Sequence, residues 1–182
     1  MSQLQLTGVG YYKPVTAREV DTWNKLCHFH AEEPLAFGRD SRTGHITASA
    51  FILSPDFNNV LLTHHRKLDR WLQLGGHCDG IADVPFVALK EAYEESGLSR
   101  IEPLRDRIFD VDIHEIPAHG AEQTHLHYDV RYLYRAAEGE FKVSDESHDL
   151  AWVPLTQLEE YTDAASVLVV RDKLAAYMNS AA

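Results

Sequence analysis

The sequence predicts an α+β fold, and three observations predict it. Two stretches, "IFDVDIHEI" (108–116) and "THLHYDVRYLY" (124–134), alternate apolar and polar residues as strands do. Segments at 17 to about 32, about 84 to 95, and 164–178 carry helical signals. The resulting order is helix, strands, helix, strands, helix, which fits an α+β fold or an α/β/α sandwich. A length of 182 residues suits one domain with a sizeable core.

The elements follow in order. Thr16 and Glu19 have the spacing of a capping box, and Val20, Trp23, Cys27 and His30 then recur on one helical face. Pro34, Gly38 and Gly44 mark residues 34–44 as a loop. "HITASAFIL" (45–53) and "VLLTHHR" (60–66) are strands joined by the turn-rich "SPDFNN", and "WLQL" (71–74) is a shorter one. "GGHCDG" (75–80) reads as a loop before the helix at about 84 to 95. In the next strand Phe109, Val111 and Ile113 face one way, and Asp110, Asp112 and His114 the other. In the one after it, Tyr128, Val130, Tyr132 and Tyr134 oppose His125, His127, Asp129 and Arg131. "LAWVPL" (150–155) is a last strand, and the closing helix puts Val167, Val170, Leu174 and Met178 on one side.

A formal net charge of -11 disfavours non-specific binding to nucleic acid or anionic membranes. It leaves room for a small anionic substrate, because a bound divalent cation reverses the local field. Cys27 and Cys78 form neither a disulfide framework nor a CxxC pair. No basic region followed by an apolar run opens the chain, and no apolar segment reaches membrane-spanning length. A cytoplasmic location is the expectation.

"KEAYEESGL" (90–98) carries the chemistry. Glu91, Glu94 and Glu95 stand at i, i+3 and i+4, on one helical face. Like charges at these spacings repel, and acids at a helix C-terminus oppose the macrodipole. Read alone, the stretch is a solvated acidic helix end closed by Gly97 and Leu98. Read with the tight "GGHCDG" turn before it, it is a site for a hard cation held by carboxylates.

Gly76, followed by Glu91, Glu94, Glu95, Gly97 and Leu98, resembles the Nudix box in register. That box reads G, five residues, E, seven residues, R-E-U-x-E-E-x-G-U, with U bulky and apolar. This chain departs at Ala82, where the box has Glu and where Asp83 stands adjacent, at Lys90 for Arg, and at Ala92 for the bulky residue. Lys90 keeps the positive charge but lacks the planar fork of an Arg.

The resemblance implies an α/β/α sandwich with a mixed central sheet over residues 45–182, preceded by an extension at 1–44 with its own amphipathic helix. It implies hydrolysis of a nucleoside diphosphate linked to another moiety, of the NDP-sugar or ADP-ribose type, with Mg²⁺ or Mn²⁺. A nucleoside triphosphate is the alternative substrate. By motif position Glu91 and Glu95 are the metal ligands, Glu94 a ligand or the group that deprotonates water, and the backbone of Gly75 or Gly76 completes the site. Glu146 is the candidate acid outside the box. Arg66, Lys67 and Arg131 are candidate phosphate contacts, with Arg70 near the first two. The N-terminal addition offers a surface for a homodimer.

Eleven histidines stand apart from the box. His125 and His127 point the same way from one strand, His77 lies in the glycine turn and His45 opens an earlier strand. Four converging imidazoles would suit a second, softer metal, Zn²⁺ or Mn²⁺. "GHITASAFIL" and "GGHC" also resemble the histidine strand and loop of type 1 isopentenyl-diphosphate isomerase. Against that reading, Gly75 stands where its cysteine would fall. A non-catalytic binding module of the same fold is the third alternative.

Overall fold

The computed structural model describes residues 5–118, 120, 123–144 and 147–179. The elements run β1 (Gln5–Leu6), β2 (Gly10–Tyr11), α1 (Ala17–Glu32), β3 (Gly44–Leu53), β4 (Asn59–His65), β5 (Arg70–Leu72) and β6 (Leu74–His77). They continue α2 (Val84–Ser96), β7 (Ile101–Pro103), β8 (Asp110–Ile116), β9 (His125–Ala136), β10 (Ser147–Pro154), α3 (Leu158–Tyr161) and α4 (Ala165–Asn179). No helix among the described residues is long and apolar enough to cross a membrane. The chain divides into two compact units, and β3, β6, α2 and β9 contribute residues to both.

The first unit comprises Met1–Ser49, Gly75–Ala88 and Arg105–Tyr132. Helix α1 starts at a complete capping box: Thr16 Oγ1 accepts from the Glu19 N–H at 3.2 Å, and Glu19 Oε2 accepts from the Thr16 N–H at 3.0 Å. Its buried stripe is Trp23, Leu26 and Phe29. The Phe29 ring stacks on Tyr128 at 4.0 Å. Strands β8 and β9 pair antiparallel from Asp110↔Arg131 to Ile116↔His125.

The second unit comprises Ala50–Leu74, Leu89–Leu104 and Leu133–Ala182. Here β4 pairs antiparallel with β10 and also with the end of β3 and with β5. Strand β7 pairs with the end of β9. Helix α2 stops at Gly97, which takes φ +62° and donates its N–H to the Tyr93 carbonyl at 2.9 Å. Leu98 is buried behind it. Lys142 Cβ would lie 2.9 Å from a Cβ at Gly97, so the stop is fixed sterically as well as conformationally.

Three sequence expectations change. The stripe on α1 is rotated: Val20 is exposed, and Leu26 and Phe29 replace it, because the larger apolar side chains win the buried face. "GGH" is strand rather than loop. A Cβ at Gly75 would lie 2.5 Å from the Ala48 carbonyl oxygen and 2.7 Å from Ser49 Cα, so β6 approaches β3 at a distance only glycine permits. The polar faces of β8 and β9 are not solvent faces, since Asp110, Asp129 and Arg131 are all buried.

Candidate active site and histidine cluster

The carboxylates of α2 lie on one helix face with a cation built in. Lys90 Nζ donates to Glu91 Oε1 at 3.0 Å and to Glu94 Oε2 at 2.7 Å. These hydrogen bonds, Glu94 first and then Glu91, raise the Lys90 pKa. The lysine therefore offsets the repulsion that the i, i+3 spacing creates. The three acids differ in exposure: the Glu94 side chain is 58% exposed, that of Glu91 17%, and Glu95 is buried. Carboxylate oxygens of this kind fit a hard divalent cation. Gly75 and Gly76 lie on β6 in the first unit, and the three glutamates lie in the second.

Asp83, the residue beside the missing motif acid, has a local task. Its Oδ1 accepts the Phe86 N–H at 3.1 Å, which makes it the N-terminal cap of α2. The sequence signal for this role is an Asp three residues before an orphan helix N–H.

The buried face shared by β3, β8 and β9 sorts into two ends. At one end Arg131 is enclosed by Asp129 (2.7 Å), Asp110 (3.0 Å) and Asp112 (3.0 Å). Thr47 and Ser49 on β3 donate their hydroxyls to Asp129 Oδ1 at 3.0 and 2.8 Å. Burial alone would lower the Arg131 pKa, but the three aspartates raise it. Burial likewise opposes ionisation of Asp112, yet a hydrogen bond from His114 and the charge of Arg131 hold it down to about 2. Arg131 is thus corrected from a phosphate contact to a core cation, because its donors are spent on carboxylates and its surface is closed.

At the other end are imidazoles. His45, His77 and His127 bring ligand nitrogens within 4.8 Å of one another. The His125 ring lies 5.0 Å from that of His45 and 5.2 Å from that of His127. His114, whose Nδ1 meets Asp112 Oδ2 at 3.2 Å, lies ring to ring 5.5 Å from His127. Sequence reasoning did not include His114. The signal was its parity with Asp110 and Asp112, which pairs it across the ladder with His127.

The remaining expected residues scatter. Arg66 donates to the Ser147 carbonyl at 3.0 Å, and Lys67 is exposed. Arg70 pairs with Asp163. The Trp71 ring stacks on His64 at 5.1 Å. Cys78 is buried. Glu146 lies outside the described residues.

A family model, the NUDIX domain, matches residues 43–172. An Ap4A hydrolase from C. elegans, solved as a binary complex, superposes with TM-score 0.59 at 18% identity, covering 74% of this chain and 98% of that one. A MutT NUDIX hydrolase from Burkholderia pseudomallei gives 0.55 at 21% identity, covering 72% and 98%. The NUDIX domain of Shewanella oneidensis NrtR, complexed with ADP ribose, gives 0.53 at 18% identity, covering 84% and 97%. At these identities the likenesses speak for the α+β fold. No curated protein sequence matches the chain.

Proposed function

Since the chain belongs to the Nudix family and is a hydrolase of acid anhydrides, we propose that it cleaves the phosphoanhydride of a nucleoside diphosphate linked to a sugar or similar group. The observation that carries this is the acidic face of α2, where Glu91, Glu94 and Glu95 keep the motif spacing and Lys90 bridges two of them. In this reading Glu91 and Glu95 hold Mg²⁺ or Mn²⁺. A bound ion supplies charge neutralisation at the phosphate oxygens and a lowered pKa for water.

The protein's own groups divide the remaining work. Lys90 orients Glu91 and Glu94 and keeps them from repelling each other. Glu94, the exposed member, is placed to accept a proton from water, and Glu146 is the further acid to test for that role. Arg66 and Lys67 are the cations offered to substrate phosphates. The domain that does this begins near residue 45, and residues 1–44 add α1 as a surface for a homodimer. The setting is cytoplasmic in this reading.

The test is a panel of ADP-ribose, NDP-sugars, dinucleotides and nucleoside triphosphates with product identification. Release of a nucleoside monophosphate from an NDP-linked substrate is expected. Pyrophosphate release from triphosphates alone would shift the assignment to a triphosphate pyrophosphohydrolase. Tight binding without turnover would make the chain a binding module, and formation of the allylic isomer from isopentenyl diphosphate would make it an isomerase.

A further inference from the structure

We propose that His45, His77 and His127 hold a divalent transition-metal ion of the zinc class, in a site with its own donor set. The three come from β3, β6 and β9, so side chains far apart in sequence converge on one point, with ligand nitrogens within 4.8 Å of one another. All three belong to the first unit.

The central ring is the strongest indication. His45 is only 4% exposed, and among the described residues neither of its ring nitrogens has a hydrogen-bond partner. His127 Nε2 is likewise buried and unpartnered. Leaving a buried polar atom unsatisfied costs about 1–3 kcal/mol. Folded proteins keep few such atoms without a water or an ion to meet them. The rings of His45 and His127 lie 4.7 Å apart, centroid to centroid.

The donor type suits a ligand role. Neutral imidazoles present lone pairs, which a metal needs and a proton would block. Ring nitrogens favour Zn²⁺ and its neighbours in the series over Mg²⁺, which prefers oxygen.

The surroundings resemble an outer shell. His125 Nδ1 lies 2.9 Å from the Gln123 carbonyl, which as acceptor fixes the proton there and leaves Nε2 with its lone pair. The His125 ring lies 5.0 Å from that of His45, beside the group of three whose ligand atoms lie within 4.8 Å of one another. Asp112 orients His114 in the same manner. Zinc–nitrogen bonds of about 2.0–2.1 Å set neighbouring ligand atoms about 3.3 Å apart, so the rings close by roughly an ångström when an ion enters.

The experiment uses the full-length, chelator-stripped protein and Zn²⁺ alone, followed by calorimetry and by metal content after dialysis. Visible absorption with Co²⁺ reports the coordination. One Zn²⁺ per chain, retained against millimolar Mg²⁺, is expected. His45→Asn should weaken it at least about 100-fold, more than loss of an outer-shell partner. His77→Gln, at a half-buried position, should do the same with an unchanged circular dichroism spectrum, which covers the case of a His45 variant that fails to fold. Zn²⁺ affinity should persist in Glu95→Gln, so failure here is distinct from failure of the hydrolase reading. Wild-type protein that takes up no Zn²⁺, its cluster holding only water, overturns the proposal. So does undiminished Zn²⁺ binding by His77→Gln.

Discussion

On α2, three carboxylates come from five consecutive positions; Glu91 and Glu94 stand at partly solvated sites and share Lys90 as counter-ion, while Glu95 is buried. On the inner face of β3, β8 and β9, comparable numbers of polar groups come from strands distant in sequence and are closed off from water. The difference lies in what compensates them. Water and one flexible lysine serve the helix, so its pairs contribute little to stability. The strand face has no water to fall back on, so each of its charges must be met by a fixed partner. A group on the helix is free for chemistry at small structural cost. A group on the strand face is structural unless it is an imidazole, which tolerates burial by staying neutral.

Removing a charge at each place sharpens this contrast most. Arg131→Met leaves Asp110, Asp112 and Asp129 without their shared cation and should cost about 3–5 kcal/mol in urea unfolding. A loss below 1 kcal/mol would break the comparison. Gly75→Ala, by forcing β6 away from β3, should cost about 1–3 kcal/mol in the same measurement.

A pH titration of stability reads Asp112. Asp112 has a folded pKa near 2 against an ordinary 3.8. A carboxyl with a depressed pKa adds stability that is complete above its unfolded value and is lost as pH falls through its folded value. The contribution is about 2 kcal/mol, present above pH 4 and lost between about pH 4 and 2. Asp112→Asn should flatten the curve across that window. The smallest effect belongs to the helix: Lys90→Met should change unfolding free energy by no more than about 0.5 kcal/mol. A larger change would mean that α2 depends on its ion pairs.

Much of this was legible in the sequence, for definite reasons. The capping box of α1, the stop at Gly97 and the acid spacing on α2 are local, and local geometry follows from residue order. The parity of β8 and β9 was also legible, and the observed register couples the two polar faces as that parity allows. Which face met solvent was not. Alternation separates two sides of a strand but is silent on what covers each, so Arg131 read as a surface cation. Strand β6 was hidden because glycines weaken every strand signal, and its reason for existing, the close approach to Ala48 and Ser49, is tertiary. The sequence singled out His45, His77, His125 and His127 by strand parity and placement, not by distance. Only the folded chain picks His45, His77 and His127 as the group within ligand distance and adds His114 beside them.

The claim that the acidic face of α2 performs the hydrolysis is tested most directly by returning Mg²⁺ to chelator-treated protein while nucleoside monophosphate release from ADP-ribose is followed. Wild type should regain its rate as Mg²⁺ rises, and Glu95→Gln should stay lower by about 100-fold or more at every concentration, with its fold intact. A Glu95→Gln protein that regains the wild-type rate would contradict the account.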